Sequence, residues 1–313
     1  MNPRQRTIEA LELRQPDAVP HFELEMQLTE EYFGKHLSTQ TEWDAHRDPM
    51  GRRDLMCRDA ELFAQIADHF SYGITLYSGV CRPTFDDYRE GVRILREVDG
   101  GKRLLMAHGD VTPGIPEGRD MDSVIVNMMM NPDSVKAKLE RDVDAMLERA
   151  RMLKDDGLEG FILCADYCFN SGPYLSPVMF SDLITPSLMR LIQTYRSMGL
   201  YAIKHTDGNI MPILDDLLAA GPHALHSLDP MAGVDMKEMK RRAGNRICLI
   251  GNVNCALMQT GTDDEVLASC RYAMENGKPG GGYIFSTSNV IFKGMKKERY
   301  DLMLGYYRGH CGY

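Results

Sequence analysis

The sequence has no run approaching eighteen consecutive apolar residues, so no segment is long enough to cross a bilayer as a helix. Its opening, Met-Asn-Pro-Arg-Gln-Arg, leads into an amphipathic helical pattern and lacks the apolar centre of a secretory signal. Positive charge is scarce: 36 Lys and Arg stand against 45 Asp and Glu, spread along the chain. That balance argues against a nucleic-acid-binding or anionic-membrane surface and favours a small molecule or another protein as partner. C-x-x-C pairs are absent, as is the G-x-S-x-G elbow of serine hydrolases. The eight cysteines (Cys57, Cys81, Cys164, Cys168, Cys248, Cys255, Cys270 and Cys311) are scattered and read as free thiols of a cytoplasmic protein. Tryptophan occurs once, at Trp43, whereas methionine occurs 22 times and supplies adaptable core packing.

What is present is a rhythm. Strand-like runs at 159–165, 200–205, 224–228, 246–253 and 282–286 alternate with helical patterns at 177–198, 211–220, 235–243, 263–275 and 297–308. Earlier strands are expected at 19–23 and 72–77, and a helix from Pro132 to about Lys154. Asp99-Gly100-Gly101, between the runs 92–98 and 102–108, predicts a β-hairpin whose second arm continues as the third strand. Residues 27–68 read as helical and irregular, an N-terminal lid. Eight strands alternating with helices predict one (β/α)8 barrel domain over residues 1–313, with an N-terminal helical extension and a β-hairpin insertion. An open doubly wound sheet is the alternative, weakened because no G-x-G-x-x-G follows the first strand.

In such a barrel, ligands sit at the carboxyl ends of the strands. The most informative stretch is Leu200 to Asn209, where an apolar run stops in His205-Thr206-Asp207-Gly208-Asn209. His205 and Asp207 are two apart and share one face of the strand, so they can bind a metal, exchange a proton or bond to each other. Other strand ends bring Glu23, Tyr77, Asp166 with Tyr167, His226, Asn254 with Cys255, and Ser286 with Asn289. His205, Asp207 and Cys255 offer one nitrogen, one oxygen and one sulfur, an open set for zinc that Glu23 can complete.

These motifs as a set carry a resemblance. His205-Thr-Asp-Gly-Asn209, Leu228-Asp-Pro230, Gly251-Asn-Val253 and Gly281-Gly-Tyr-Ile-Phe-Ser-Thr-Ser-Asn289, together with the opening Gln15-Pro-Asp-Ala-Val-Pro20, resemble the uroporphyrinogen decarboxylase superfamily. The resemblance implies a (β/α)8 barrel and two kinds of activity. Decarboxylases of the family carry an arginine-bearing motif after the first strand, for a tetracarboxylate substrate. Here that stretch is His21-Phe-Glu-Leu-Glu-Met26, acidic where cations are needed, and burying substrate carboxylates beside it would be very costly. Corrinoid-dependent methyltransferases fit the layout better. Those acting on thiols hold zinc on a His-x-Cys pair and a later Cys; here only His205 carries over, with Asp207 in place of the first Cys and Ser286-Thr287 at the last strand.

The resemblance therefore implies an O-demethylase-type methyltransferase, taking a methyl group from a methoxylated, aromatic substrate to the Co(I) corrinoid of a partner protein. Zinc on His205, Asp207 and Cys255, or protonated His205 oriented by Asp207, would activate the ether oxygen. Asp166 is expected in the catalytic group. Glu23, Tyr77, Tyr167, Asn209, His226, Asn254, Ser286 and Asn289 are expected to contact substrate. A homodimer stays open, as do two other readings: a decarboxylase, and a non-catalytic binder of corrinoid or tetrapyrrole.

Overall fold

A computed structural model describes residues 1–78, 81, 84–116 and 118–313. Seven parallel strands form a curled sheet in the order β1 (Ile74–Tyr77), β2 (Leu104–His108), β3 (Gly160–Leu163), β6 (Tyr201–Thr206), β7 (Ala224–Ser227), β8 (Cys248–Val253) and β9 (Tyr283–Thr287). A two-residue ribbon, β4 (Cys168–Phe169) with β5 (Gly172–Pro173), stands apart after β3. The expected first strand, 19–23, bridges both edges of the sheet: His21 pairs in parallel with Tyr72 beside β1 and with Phe285 in β9. The sheet thereby curls back on itself around eight staves, as the (β/α)8 reading requires.

Alternation sorts the strand side chains into two cores. Phe22, Leu24, Ile74, Leu76, Leu104, Met106, Ile162, Ile203, Ala224, Cys248, Ile250 and Ile284 fill the barrel interior. Their neighbours in sequence, such as Leu105, Phe161, Leu163, Ala202, Leu225 and Phe285, face the surrounding helices. The N-terminal helix Pro3–Leu11 starts with a capping box between Asn2 and Gln5 and packs Ala10 and Leu11 onto the interior core.

Two expectations change here. Residues 85–99 form a helix, Phe85–Asp99, where one arm of a hairpin was expected. Thr84 and Asp87 form a capping box at its start, and Gly100, at φ +62, ends it in the left-handed conformation. Val92, Ile94 and Val98 alternate as a strand would, but Val92, Ile94, Leu95 and Asp99 are among the residues the helix buries, and the Asp-Gly-Gly sequence is a helix stop rather than a hairpin turn. The region expected as a lid contains Thr29–Phe33, Gln40–Ala45 and a long helix, Pro49–Phe70. That long helix packs on β1 and on helix Phe85–Asp99, so it belongs to the outer ring.

Candidate active site

The end of β6 places His205 and Asp207 over the barrel interior. Gly208, at φ +79, turns the chain away; a Cβ there would stand 2.2 Å from the Cys168 carbonyl oxygen, so only glycine fits. Asp166, after β3, accepts the Asp207 backbone N–H through Oδ1 at 2.9 Å. His205 Nε2 faces Asp166 Oδ1 at 3.7 Å and Asp207 Oδ1 at 3.8 Å. Both separations exceed hydrogen-bond length, so the nitrogen and the two carboxylates surround a gap instead of bonding each other. One donor atom from each of the three residues lies within 4.8 Å of the other two.

Asp207 is braced from two sides. Ser227 Oγ lies 2.6 Å from its Oδ1 and 2.6 Å from the Ser288 carbonyl oxygen, two acceptors for one hydroxyl hydrogen, and Asn289 Nδ2 donates to its Oδ2. Ser227 sits in the left-handed region at φ +86, a strained conformation for a serine at the end of β7. Burial raises the Asp207 carboxyl to about 7; Ser227 opposes the shift, and Asp166 and Asp229 add to it. Burial lowers His205 to about 3, with the charges of Lys204 and His108 acting the same way. His205 is therefore a neutral imidazole, which speaks against its serving as a protonated acid.

Behind His205 runs a buried polar series. His205 Nδ1 lies 2.7 Å from His226 Nδ1, and His226 Nε2 lies 3.4 Å from Ser286 Oγ. Ser286 Oγ donates to Glu23 Oε2 at 3.2 Å, and the Thr287 hydroxyl donates to the same oxygen at 2.6 Å. Glu23 Oε1 meets His21 Nε2 at 3.2 Å. Burial holds His226 well below the ordinary imidazole range.

The residues expected to contact substrate take several places. Glu23, His226 and Ser286 are buried and bonded in series behind His205. Tyr167 is fully buried, hydrogen-bonded to Thr112 and stacked under Lys204. The Tyr77 ring packs against Phe63 and Tyr88 in the outer layer, because alternation turns it away from the interior. Asn209 and Asn254 spend their side-chain oxygens on the backbone of Met211 and Ala256, shaping turns. Cys255 stands outside the three-residue group, where Asp166 takes the place expected of it. Asn289 reaches the site through Asp207. Ser227 was not foreseen; only its position beside His226 at a strand end pointed to it.

The family profile of uroporphyrinogen decarboxylase matches residues 115–309, more than half of the chain. The chain belongs to the uroporphyrinogen decarboxylase family. No curated protein sequence matches it. Among solved structures, a methyltransferase from Methanosarcina mazei is similar over 99% of both chains, with a TM-score of 0.74 and 16% identity. A D-psicose 3-epimerase from Clostridium cellulolyticum H10 is similar at a TM-score of 0.45 and 10% identity, over 82% of this chain and 94% of its own. The first likeness supports the fold over its full length. Among the described residues, no helix is long and apolar enough to cross a membrane.

Proposed function

We propose that this protein is a methyltransferase that moves a methyl group from a methoxylated, aromatic substrate to the Co(I) corrinoid of a partner protein. The observation that carries this reading is the gap between His205 Nε2 and the carboxylates of Asp166 and Asp207, open to the barrel mouth and formed without a thiolate. One nitrogen and two oxygens make a harder donor set than a thiolate site, suited to a substrate engaged through oxygen. Asp166, His205 and Asp207 would hold a divalent ion such as zinc, which supplies Lewis-acid polarisation of an ether oxygen. Without an ion, Asp207 is the group that holds a proton near neutral pH and can deliver it to a departing oxygen.

A polycarboxylate substrate fits poorly: among the described residues, Glu23, Asp166 and Asp207 have no Lys or Arg partner. The similar Methanosarcina mazei structure is named a methyltransferase, which is in keeping with this reading.

The test is anaerobic incubation with an aryl methyl ether and Co(I) cobalamin, or a corrinoid protein, followed through the cobalt absorption spectrum. Conversion to methylcobalt that disappears in His205→Ala supports the proposal. Tight porphyrin binding with no methyl transfer from any ether would contradict it in favour of a non-catalytic binder.

A further inference from the structure

We infer that Glu23 acts through Ser286 and His226 to fix the tautomer of His205, leaving Nδ1 protonated and Nε2 as a bare lone pair facing Asp166 and Asp207. The inference deepens the reading above and rests on it only for the use made of that lone pair. Its basis is the direction each hydrogen bond must take.

Glu23 is the fixed end. Oε2 receives the Thr287 hydroxyl at 2.6 Å, and the Thr287 backbone N–H, which cannot reverse, lies 3.2 Å from both carboxylate oxygens. A carboxylate crowded by donors accepts, so Ser286 spends its single hydrogen on Glu23 Oε2. Ser286 then has only lone pairs to offer His226 Nε2, 3.4 Å away, and that nitrogen must donate. A neutral imidazole has one N–H, so His226 Nδ1 becomes an acceptor. The 2.7 Å contact between the two Nδ1 atoms needs one hydrogen, which His205 must provide. Its Nε2 is left bare, on the side of the two aspartates.

The reverse polarity would set Ser286 and Glu23 lone pair against lone pair in a buried place, costly with no water to relieve it. Residues that orient a ligating histidine through its other ring nitrogen are a general feature of metal centres. Here the orienting carboxylate lies two groups away, relayed by a serine and a second histidine. Glu23, Ser286 and His226 are thus positioning residues. All three are buried, at 3% exposure or less.

The experiment is long-range ¹H–¹⁵N spectroscopy of the histidine rings in metal-free protein, with His205 assigned by its loss in His205→Asn. A zinc titration of the same samples accompanies it. Wild type should show His205 with Nδ1 protonated and Nε2 unprotonated. Ser286→Ala and Glu23→Gln should give mixed or reversed tautomers and weaken zinc binding by about 10- to 100-fold. Ser286→Thr, which keeps the hydroxyl, should restore both; a merely structural role for Ser286 would not give this spectroscopic pattern. A wild type with Nε2 protonated would overturn the inference, as would Ser286→Ala that folds and leaves the tautomer unchanged. If wild type shows the expected tautomer but binds no zinc, the relay stands and the metal reading fails.

Discussion

Lys204 and His205 are consecutive residues on β6, both buried, and they face opposite ways into two different polar clusters. On the outer side, Lys204 Nζ donates to Asp110 Oδ2 at 2.8 Å, to the Ala165 carbonyl at 2.8 Å and to the Leu163 carbonyl at 3.3 Å. It also lies 4.1 Å from the Tyr167 ring centre. Burial opposes ionisation of Asp110, yet Lys204, Thr112 and the Ala165 N–H keep its carboxyl below the usual range. Every donor there has an acceptor and the charges cancel. On the inner side, a neutral imidazole meets two carboxylates across a gap, one of them raised to about 7. The closed cluster holds the fold, whereas the open one has affinity to spare for a cation or a proton.

The contrast breaks most visibly through the closed cluster. Lys204→Met leaves Asp110 buried and unpaired and should cost about 3–5 kcal/mol of stability in urea unfolding. A loss under about 1 kcal/mol would mean that the outer cluster is not structural. His205→Ala should do the converse: zinc affinity should fall by more than the roughly 100-fold that an outer-shell change costs. Its unfolding midpoint should move less than that of Lys204→Met; equal losses would erase the distinction.

Asp207 sharpens the comparison through pH. Its folded carboxyl is raised from 3.8 to about 7, so its contribution to stability is complete below pH 3.8 and is lost as pH rises through about 7. Metal-free Asp207→Asn should therefore gain stability relative to wild type as pH rises from 4 to 7, and hold that gain above. His205 acts oppositely: lowered from 6.5 to about 3, it contributes above pH 6.5 and is lost as pH falls through about 3. Comparing the two proteins by unfolding at pH 5 and pH 8 isolates Asp207, and parallel curves would refute its raised value. The smallest effect belongs to Ser227→Ala, which removes the hydroxyl shared by Asp207 and the Ser288 carbonyl and should cost about 1 kcal/mol while raising the Asp207 carboxyl further, read by the same pH series.

The barrel was legible because buried parallel strands read as short apolar runs and the helices between them are amphipathic. The error at 92–98 arose because a seven-residue run with alternating apolar positions satisfies both periods. The capping box at Thr84 and Asp87 was the signal that could have decided it. His205, Asp207 and Asp166 were legible as polar residues directly after strands. Their grouping was less so: Cys255 and Asp166 both follow strands, and only side-chain geometry puts Asp166 beside His205. The roles of Glu23, His226 and Ser286 were hidden for another reason. Residues from the first stave, β7 and β9 meet only when the sheet closes, and a strand-end position does not tell a group that touches substrate from one that supports its neighbour.

The most direct measurement is the metal content of protein purified without oxygen, for wild type and for Asp166→Ala, His205→Ala, Asp207→Ala and Cys255→Ala. One tightly held divalent ion per chain, retained in the Cys255 variant and lost in the other three, is the result expected of the open cluster. An ion that survives removal of His205, or a wild type that takes up none when zinc is supplied, would contradict it.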